Sequence, residues 1–246
     1  GLSLIFGIMR IVNLAHGDFI VMGAYLSLTA VFITGVSPLI SIFVIIPLMF
    51  GLGYLLQRFV LNRTISSGSL PPLVITFGLS VIIQNVLQLW YTPDSQGLDV
   101  GALELASWQI SEGISVGIMP LITFGVAVVL LLSLQIFFHH AHLGRAFRAT
   151  SDDPKTAELM GIDSRQIYAL AMGIALASVA LAGIMLGIRT NFTPTDGPAR
   201  LIFAFEAVII GGLGNIWGTR VGCIILGLGQ NIGARFNPTW FQLAGH

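Results

Sequence analysis

Charged side chains are scarce in this sequence. Only 9% of its 246 residues are Asp, Glu, Lys or Arg, whereas soluble domains carry about 25%. So few charges cannot cover a water-soluble domain of this size, and 55% of the residues are hydrophobic. The scarcity excludes an ordinary soluble protein and indicates a chain whose solvent is lipid.

The sequence also contains a single cysteine and has no net charge. The one cysteine, Cys223, lies in an apolar run and cannot form an internal disulfide. The net charge is zero and no basic, aromatic-interleaved stretch is present, so nucleic acid is not expected as a partner. His139, His140 and His142 have no cysteine or acidic ligand beside them, so no metal is expected.

The apolar residues fall in blocks of about twenty, the length that carries a helix across roughly 30 Å of hydrocarbon. They predict an all-α fold, a polytopic transmembrane helical bundle with broken or half helices, in one transmembrane domain over residues 1–246. The six predicted spans are residues 14–34, 38–57, 71–91, 118–138, 167–188 and 217–235. The first nine residues are apolar but too short to cross, and we expect them to be the severed end of a further span.

A shorter apolar run, residues 201–214, ends in three glycines, Gly211, Gly212 and Gly214. Each glycine weakens a helix by up to about 1 kcal/mol. The run therefore predicts a half-helix that ends inside the protein, where other helices or a watery cavity must shield its backbone. Transporters place their substrates at discontinuous helices of this kind.

The charges in the loops predict an orientation. Residues 139–166 contain four Lys or Arg side chains and residues 58–70 contain two, so both stretches are expected in the cytoplasm. Residues 92–117 contain four acidic residues and no Lys or Arg, which is typical of an outer loop. The three loops alternate as successive spans require.

Three polar side chains, Asn13, His16 and Asp18, stand at the mouth of the first predicted span. Polar and ionisable groups are costly in a membrane unless they face partners or water, so one interpretation is a substrate pathway. The alternative is helix capping by Asn13 or Asp18, with His16 at the interface. The two interpretations can coexist, because the N-terminus of a half-helix offers N–H donors to a substrate carboxylate.

Four more polar residues interrupt apolar stretches: Gln84, Asn85, Glu206 and Asn215. Asn215 lies at a glycine-rich break before the last span, a loose repetition of Asn13. Each of the four either faces the pathway or is satisfied within the bundle, and the sequence leaves both open.

The loop of residues 139–166 is longer than a connector needs to be. Asp153 suits an N-cap, Pro154 the first helical position and Gly161 the stop, so a short exposed helix is predicted between them. So short a helix is marginal in water and must depend on its caps and on a partner. A solvated surface helix without a partner is the alternative.

One enzyme-like pattern, Gly-Ile-Ser-Val-Gly, occupies residues 113–117. A nucleophile elbow needs a strand before it and a helix after it, and we expect neither here. We therefore expect no catalytic residue.

Four stretches, residues 11–19, 83–85, 144–163 and 207–218, together resemble the permease of branched-chain amino acid ABC importers. Several such permeases have Glu where Asp18 stands. The resemblance implies a non-catalytic, multi-pass subunit of an ATP-driven importer in the bacterial inner membrane. The alternative is a passive channel for a small neutral solute, since paired Asn-bearing half-helices also build pores, although the Asn-Pro-Ala of water channels is absent.

The resemblance also implies partners: a second homologous permease, two ATP-binding subunits and a periplasmic substrate-binding protein, within membrane lipid. No cofactor is expected in this chain, because ATP and Mg would bind the partner subunits. Residues 139–166 would be the coupling loop to the ATPase, with the following residues involved: Arg145, Arg148, Asp152, Asp153, Pro154, Ala157 and Gly161. Similar permeases continue beyond both ends of this chain, so both ends are expected to be cut. The solute stays open between branched-chain amino acids and urea, amides or aromatic acids.

Overall fold

The structure is a computed structural model that describes residues 1–65, 68, 70–101, 103, 106–111, 114–214 and 216–236. This described part holds ten α-helices, a 3-10 turn and one β-hairpin. The helices are α1 (Leu2–Met9), α2 (His16–Thr34), α3 (Pro38–Phe59), α4 (Leu70–Tyr91), α5 (Ile118–His140), α6 (His142–Asp152), α7 (Pro154–Leu159), α8 (Ser164–Arg189), α9 (Gly197–Gly211) and α10 (Ile216–Phe236). The turn is Leu61–Arg63, and the hairpin strands are β1 (Ser107–Ser111) and β2 (Ile114–Gly117).

Five helices, α2, α3, α4, α5 and α8, are long and apolar enough to cross a membrane. They confirm the all-α fold class and five of the six predicted spans. The sixth segment does form a helix, α10, but Arg220, Gln230 and Asn231 lower its mean hydropathy, and it is not among those five. Helix α9 confirms the predicted half-helix: its 15 residues reach only about 22 Å. It ends at Gly211, and the glycines that follow, Gly212 and Gly214, both have positive φ.

Helix α8 is the central helix of the bundle and packs most extensively on α3 and α2. Small residues permit these close contacts. A Cβ atom on Gly53 of α3 would lie 2.7 Å from the carbonyl oxygen of Met172, and one on Gly183 would lie 2.1 Å from that of Ile20. The backbones of the three helices are therefore nearly in contact, which fixes their relative register.

The basic and acidic loops lie at opposite ends of α8. At one end, here called the basic end, Arg58 lies 3.6 Å from Asp163 and the Asn62 side chain donates to the Arg165 carbonyl over 2.9 Å. At the other end, the acidic end, residues 96 and 192 form a β-bridge. This separation agrees with the orientation predicted from the loop charges.

The hairpin at the acidic end was not expected. Strand β1 pairs with β2 in an antiparallel register that sets Gln109 opposite Ser115. Helix α5 then begins at Ile118, so the expectation that no strand and no helix flank residues 113–117 was wrong. Ser115 nevertheless lies within a paired strand rather than in the sharp strand-to-helix turn that a nucleophile elbow requires. Strands of four or five residues give a weaker sequence signal than twenty-residue spans.

Candidate functional site: a buried polar cluster and a helix pair at the basic end

The chain breaks between α1 and α2, and side chains satisfy the broken backbone. Arg10 adopts a left-handed conformation with φ of 53°. The Asn13 side-chain oxygen accepts a hydrogen bond from the backbone N–H of Ala15 at 3.0 Å. The Leu14 N–H donates to the hydroxyl of Thr76 on α4 at 3.2 Å. A backbone break inside a membrane protein needs such protein partners.

The three polar residues at this break are all buried: Asn13 is 1% exposed, His16 3% and Asp18 1%. His16 is therefore not an interfacial side chain. Neither Asn13 nor Asp18 caps α2, because its N-cap residue is Ala15 and makes no side-chain capping bond. Asn13 holds the turn instead, and its amide nitrogen lies 3.8 Å from the sulfur of Met172 on α8.

Asp18 meets a polar stripe on α4. The side-chain nitrogen of Gln84 donates to one Asp18 carboxylate oxygen at 2.9 Å and also lies 3.1 Å from the hydroxyl of Ser80. The second Asp18 oxygen and Nδ1 of His16 are buried without a protein partner. A buried polar atom left without a partner costs about 1–3 kcal/mol, so this cluster carries unused hydrogen-bonding capacity inside the bundle.

Asp18 also lies against the first turn of the half-helix α9. A Cβ atom on Gly197 would lie 1.9 Å from an Asp18 carboxylate oxygen, and one on Gly17 would lie 1.9 Å from the Gly197 carbonyl oxygen. The free N–H groups of a helix N-terminus carry partial positive charge, which favours a carboxylate at this position. The site thus forms where the α1–α2 break, α4 and the start of α9 meet.

Of the seven predicted pathway residues, the structure brings together Asn13, His16, Asp18 and Gln84. Asn85 is exposed and donates to the Val81 carbonyl of its own helix at 2.7 Å, so it does not join the cluster. Glu206 is half-buried farther along α9. Asn215 lies outside the described residues. Among the described residues, no group of three His, Cys, Asp or Glu gathers into a metal site.

The sequence reasoning missed several members of this site. Thr76 and Ser80 precede Gln84 at intervals of four residues, so the three share one face of α4. That polar stripe within an apolar span was a usable signal. The close approach of Gly17 to Gly197 left no such signal, because 180 residues separate the two glycines in the chain.

At the basic end, α6 and α7 form a unit that we call the helix pair. Helix α7 confirms the predicted short helix: the Asp153 carboxylate accepts the Lys155 N–H at 3.0 Å, and Gly161 ends it with φ of 84°. The Thr156 hydroxyl bonded to the Asp153 carboxylate is the main cause that lowers the pKa of that carboxyl. Helix α6, which precedes it, was not predicted.

Aromatic packing fixes the helix pair to the bundle. Phe147 of α6 is fully buried, and its ring centroid lies 5.3 Å from that of Phe138 at the end of α5. A Cβ atom on Gly144 would lie 2.4 Å from the Phe138 carbonyl oxygen. The Ser151 hydroxyl donates to the Gly7 carbonyl of α1 at 2.6 Å. The pair is therefore anchored to α5 and α1 rather than hanging free.

The predicted coupling residues differ in exposure. Most of α7 is exposed, as predicted, but Ala157 is only 2% exposed, so one face of the helix packs on the protein. Arg145 contacts His142 on its own helix and Arg148 donates to the Phe138 carbonyl. Asp152, Asp153 and Gly161 are exposed, and Pro154 is half-buried.

The outer tip of the helix pair is apolar, which the sequence reasoning missed. Leu159 is 88% exposed and Met160 is 78% exposed, although neither lies in a predicted span. Two large apolar side chains among charged ones on a surface outside the bilayer are typical of a protein contact. The helix pair therefore has a packed base and an exposed apolar tip.

Comparison with known proteins identifies a family. The family model described as "Branched-chain amino acid transport system / permease component" matches residues 1–244. The chain is 29% identical over 251 residues to the high-affinity branched-chain amino acid transport system permease protein BraD of Pseudomonas aeruginosa, covering 95% of this chain and 80% of BraD. It is 29% identical over 255 residues to the corresponding protein LivH of Escherichia coli, covering 98% and 82%.

A relative with a different name also matches. The fructose import permease protein FrcC of Rhizobium meliloti is 25% identical over 246 residues, covering 94% of this chain and 66% of FrcC. No solved structure is significantly similar to the chain. Because the family model extends over residues 1–244, the chain belongs to the family of permease components of branched-chain amino acid transport systems, and it is a multi-pass membrane permease.

Proposed function

We propose that this permease is the membrane-spanning subunit of an ATP-driven importer for branched-chain amino acids or a related small amino acid or amide. The proposal places it in the bacterial inner membrane with a second homologous permease, two ATP-binding subunits and a periplasmic substrate-binding protein. The chain itself performs no catalysis and holds no cofactor, because ATP and Mg bind in the partner subunits.

The helix pair is the single observation that carries the ATP-driven mechanism. A passive channel has no use for a rigid, capped helix that presents Leu159 and Met160 to a protein partner. A subunit driven by a separate motor needs such a contact, and it needs the contact to be stiffly connected to the bundle. The packing of Phe147 on the end of α5 provides that connection.

The buried cluster supports a pathway for a zwitterion. The free Asp18 oxygen and the free His16 nitrogen suit a solute that donates hydrogen bonds, such as an ammonium group. The solute's carboxylate would share with Asp18 the partial positive charge at the N-terminus of α9. An amino acid carries both groups on one carbon, so both ends of the solute find a complement within a few ångströms.

The solute itself is proposed from relatives. BraD and LivH are named as branched-chain amino acid permeases, while FrcC is named for fructose. The similarity to BraD and LivH extends over 80% and 82% of their lengths, which favours a branched-chain amino acid over a sugar.

Reconstitution tests the proposal. The full-length permease is placed in vesicles with its partner subunits, and uptake of labelled leucine is measured with and without ATP, with isoleucine, urea and fructose as competitors. We expect uptake only with ATP and all partners, and competition by isoleucine alone. Leucine flux through the permease alone, down a gradient and at channel rates, would establish the passive channel instead. Competition by fructose or urea but not isoleucine would overturn the proposed solute.

A further inference from the structure

The surface of α3 carries an apolar groove that neighbouring helices leave open. The groove has a volume of about 740 Å³. Phe19 and Met22 of α2 form its floor, and Leu79 on α4 lies on its far side. Along α3 it extends from Pro47 to Phe59, which is about 18 Å of helix. The hydrocarbon of one leaflet is about 15 Å deep, so the groove is as long as one leaflet.

One end of the groove lies beside a polar hollow at the basic end. The hollow has a volume of about 610 Å³ and is lined by Arg58, Asn62, Arg63, Asp163 and Arg165. The described lining thus contains three arginines and one aspartate, an excess of positive charge.

The groove and the hollow share one ridge of α3. Gly51 and Leu55 line the groove, and Arg58, which lines the hollow, follows them at helical spacing of four and then three residues. The positive charge thus begins where the apolar surface ends, on the same face of the same helix.

A buried network gives the hollow a defined shape. Gln57 is fully buried, and its side-chain nitrogen donates to the Asn62 oxygen at 3.0 Å. Asn62 in turn donates to the Arg165 carbonyl at 2.9 Å. Asp163, the one acidic residue, accepts the N–H of Arg165 at 3.0 Å and lies 3.6 Å from Arg58. Its charge is therefore committed to the start of α8 and to Arg58, which leaves Arg63 and the Arg165 side chain for a ligand.

We propose that the groove and the hollow together bind one anionic phospholipid of the leaflet at the basic end. The phosphate is bound by Arg63 and Arg165, beside the Arg58–Asp163 pair, because guanidinium groups bind phosphate oxygens with paired hydrogen bonds. One acyl chain lies in the groove between α3 and α4. Any lipid can cover an apolar face, but the three arginines make the site selective for a negatively charged headgroup.

Native mass spectrometry of the complete importer in detergent tests this proposal, with phosphatidylglycerol and phosphatidylcholine titrated separately. The variant Arg63→Gln with Arg165→Gln removes two charges and leaves the Arg58–Asp163 pair intact. We expect it to weaken phosphatidylglycerol binding by roughly fivefold for each arginine and to leave phosphatidylcholine unaffected. The variant Gly51→Phe fills the groove, since a Cβ atom there meets nothing within 4 Å, and it should displace both lipids.

Matched controls separate the site from general effects. Gly125→Phe on α5 adds the same ring where a Cβ atom also meets nothing within 4 Å, and Arg189→Gln removes a charge at the acidic end. Both should retain phosphatidylglycerol at the level of the unaltered permease. Equal binding of the two lipids, or unchanged binding in the arginine and Gly51 variants, would overturn the proposal. Cross-linking of Leu55→Cys to another protein segment of the importer would also overturn it, because a helix would then occupy the groove.

Discussion

At the scale of the residue, the site depends on which side of α4 a polar group occupies. Gln84 and Asn85 are neighbours in the chain, yet Gln84 reaches Asp18 while Asn85 is exposed and bonds only to its own helix. From the sequence alone, both amides are equally good candidates for the site, because both interrupt the same apolar run. Only the packing of α4 on α2 distinguishes them.

The pair provides a matched test of the buried cluster. Gln84→Leu removes the Gln84 donor from the Asp18 carboxylate, which should cost about 1–3 kcal/mol and reduce leucine uptake about two- to tenfold if half of that loss falls on the solute. Asn85→Leu should leave thermal stability and uptake close to those of the unaltered permease. Equal effects of the two changes on uptake and on the midpoint of thermal unfolding would remove Gln84 from the site.

The contact of Gly17 with Gly197 makes a second prediction. Alanine raises helix propensity by up to about 1 kcal/mol relative to glycine, so Gly17→Ala would stabilise an isolated helix. Here its Cβ atom would lie 1.9 Å from a carbonyl oxygen that belongs to backbone, so α2 and α9 must separate and we expect a lower midpoint of thermal unfolding in detergent. Gly51→Ala, which meets nothing within 4 Å, is the control and should not lower it. A midpoint of thermal unfolding for Gly17→Ala at or above that of the control would show that α2 and α9 are not tightly packed at Gly17.

At the scale of the element, α7 is predicted to transmit force between the bundle and a partner. Ala157→Pro removes the hydrogen bond from its N–H to the Asp153 carbonyl, which measures 3.0 Å, and costs about 3 kcal/mol of helix stability. We expect substrate-stimulated ATP hydrolysis and leucine uptake in the reconstituted importer to fall together, while expression and membrane insertion survive.

Because Ala157 is buried, a second variant must separate helix breaking from lost packing. Glu158→Pro breaks α7 at an exposed position, and Glu158→Ala removes the same side chain without breaking the helix. The first should uncouple the importer and the second should not. Hydrolysis and uptake unchanged in both proline variants would reduce α7 to an ordinary connector.

The elements differ in how far the sequence determines them. Length and hydropathy suffice for α2 to α5 and α8, and the local residues Asp153, Pro154 and Gly161 suffice for α7, because a cap and a stop are short-range interactions. Helix α6 was missed because its buried residue, Phe147, depends on Phe138 of the preceding helix. The burial of Ala157 is likewise a property of what packs on α7. The cluster around Asp18 required contacts between segments 66 residues apart, which no local pattern encodes.

At the scale of the whole molecule, the charge distribution predicts how the bundle lies in the membrane. Cys223 is exposed, so it is first replaced by Ala to give a cysteine-free background. A cysteine at Ser95, which is exposed at the acidic end, should react with a membrane-impermeant maleimide added outside intact cells. A cysteine at Lys155 of the helix pair should react only after the cells are opened. The opposite labelling pattern would show that the bundle has the reverse orientation in the membrane, and it would contradict the roles assigned to its two ends.

Helix α5 joins those two ends with little packing along its length. It begins directly after β2 and ends at the helix pair, and Met119 is its buried residue. Near its middle, Arg220 of α10 donates to Gln135 and to the Leu131 carbonyl, each at 3.1 Å. Helix α5 is therefore held mainly at its two ends and by Arg220, and much of its remaining surface is exposed. Because α5 alone connects the helix pair to the hairpin along the chain, we expect a displacement of α6 to reach the opposite end of the bundle through α5 before it requires the core around α8 to repack.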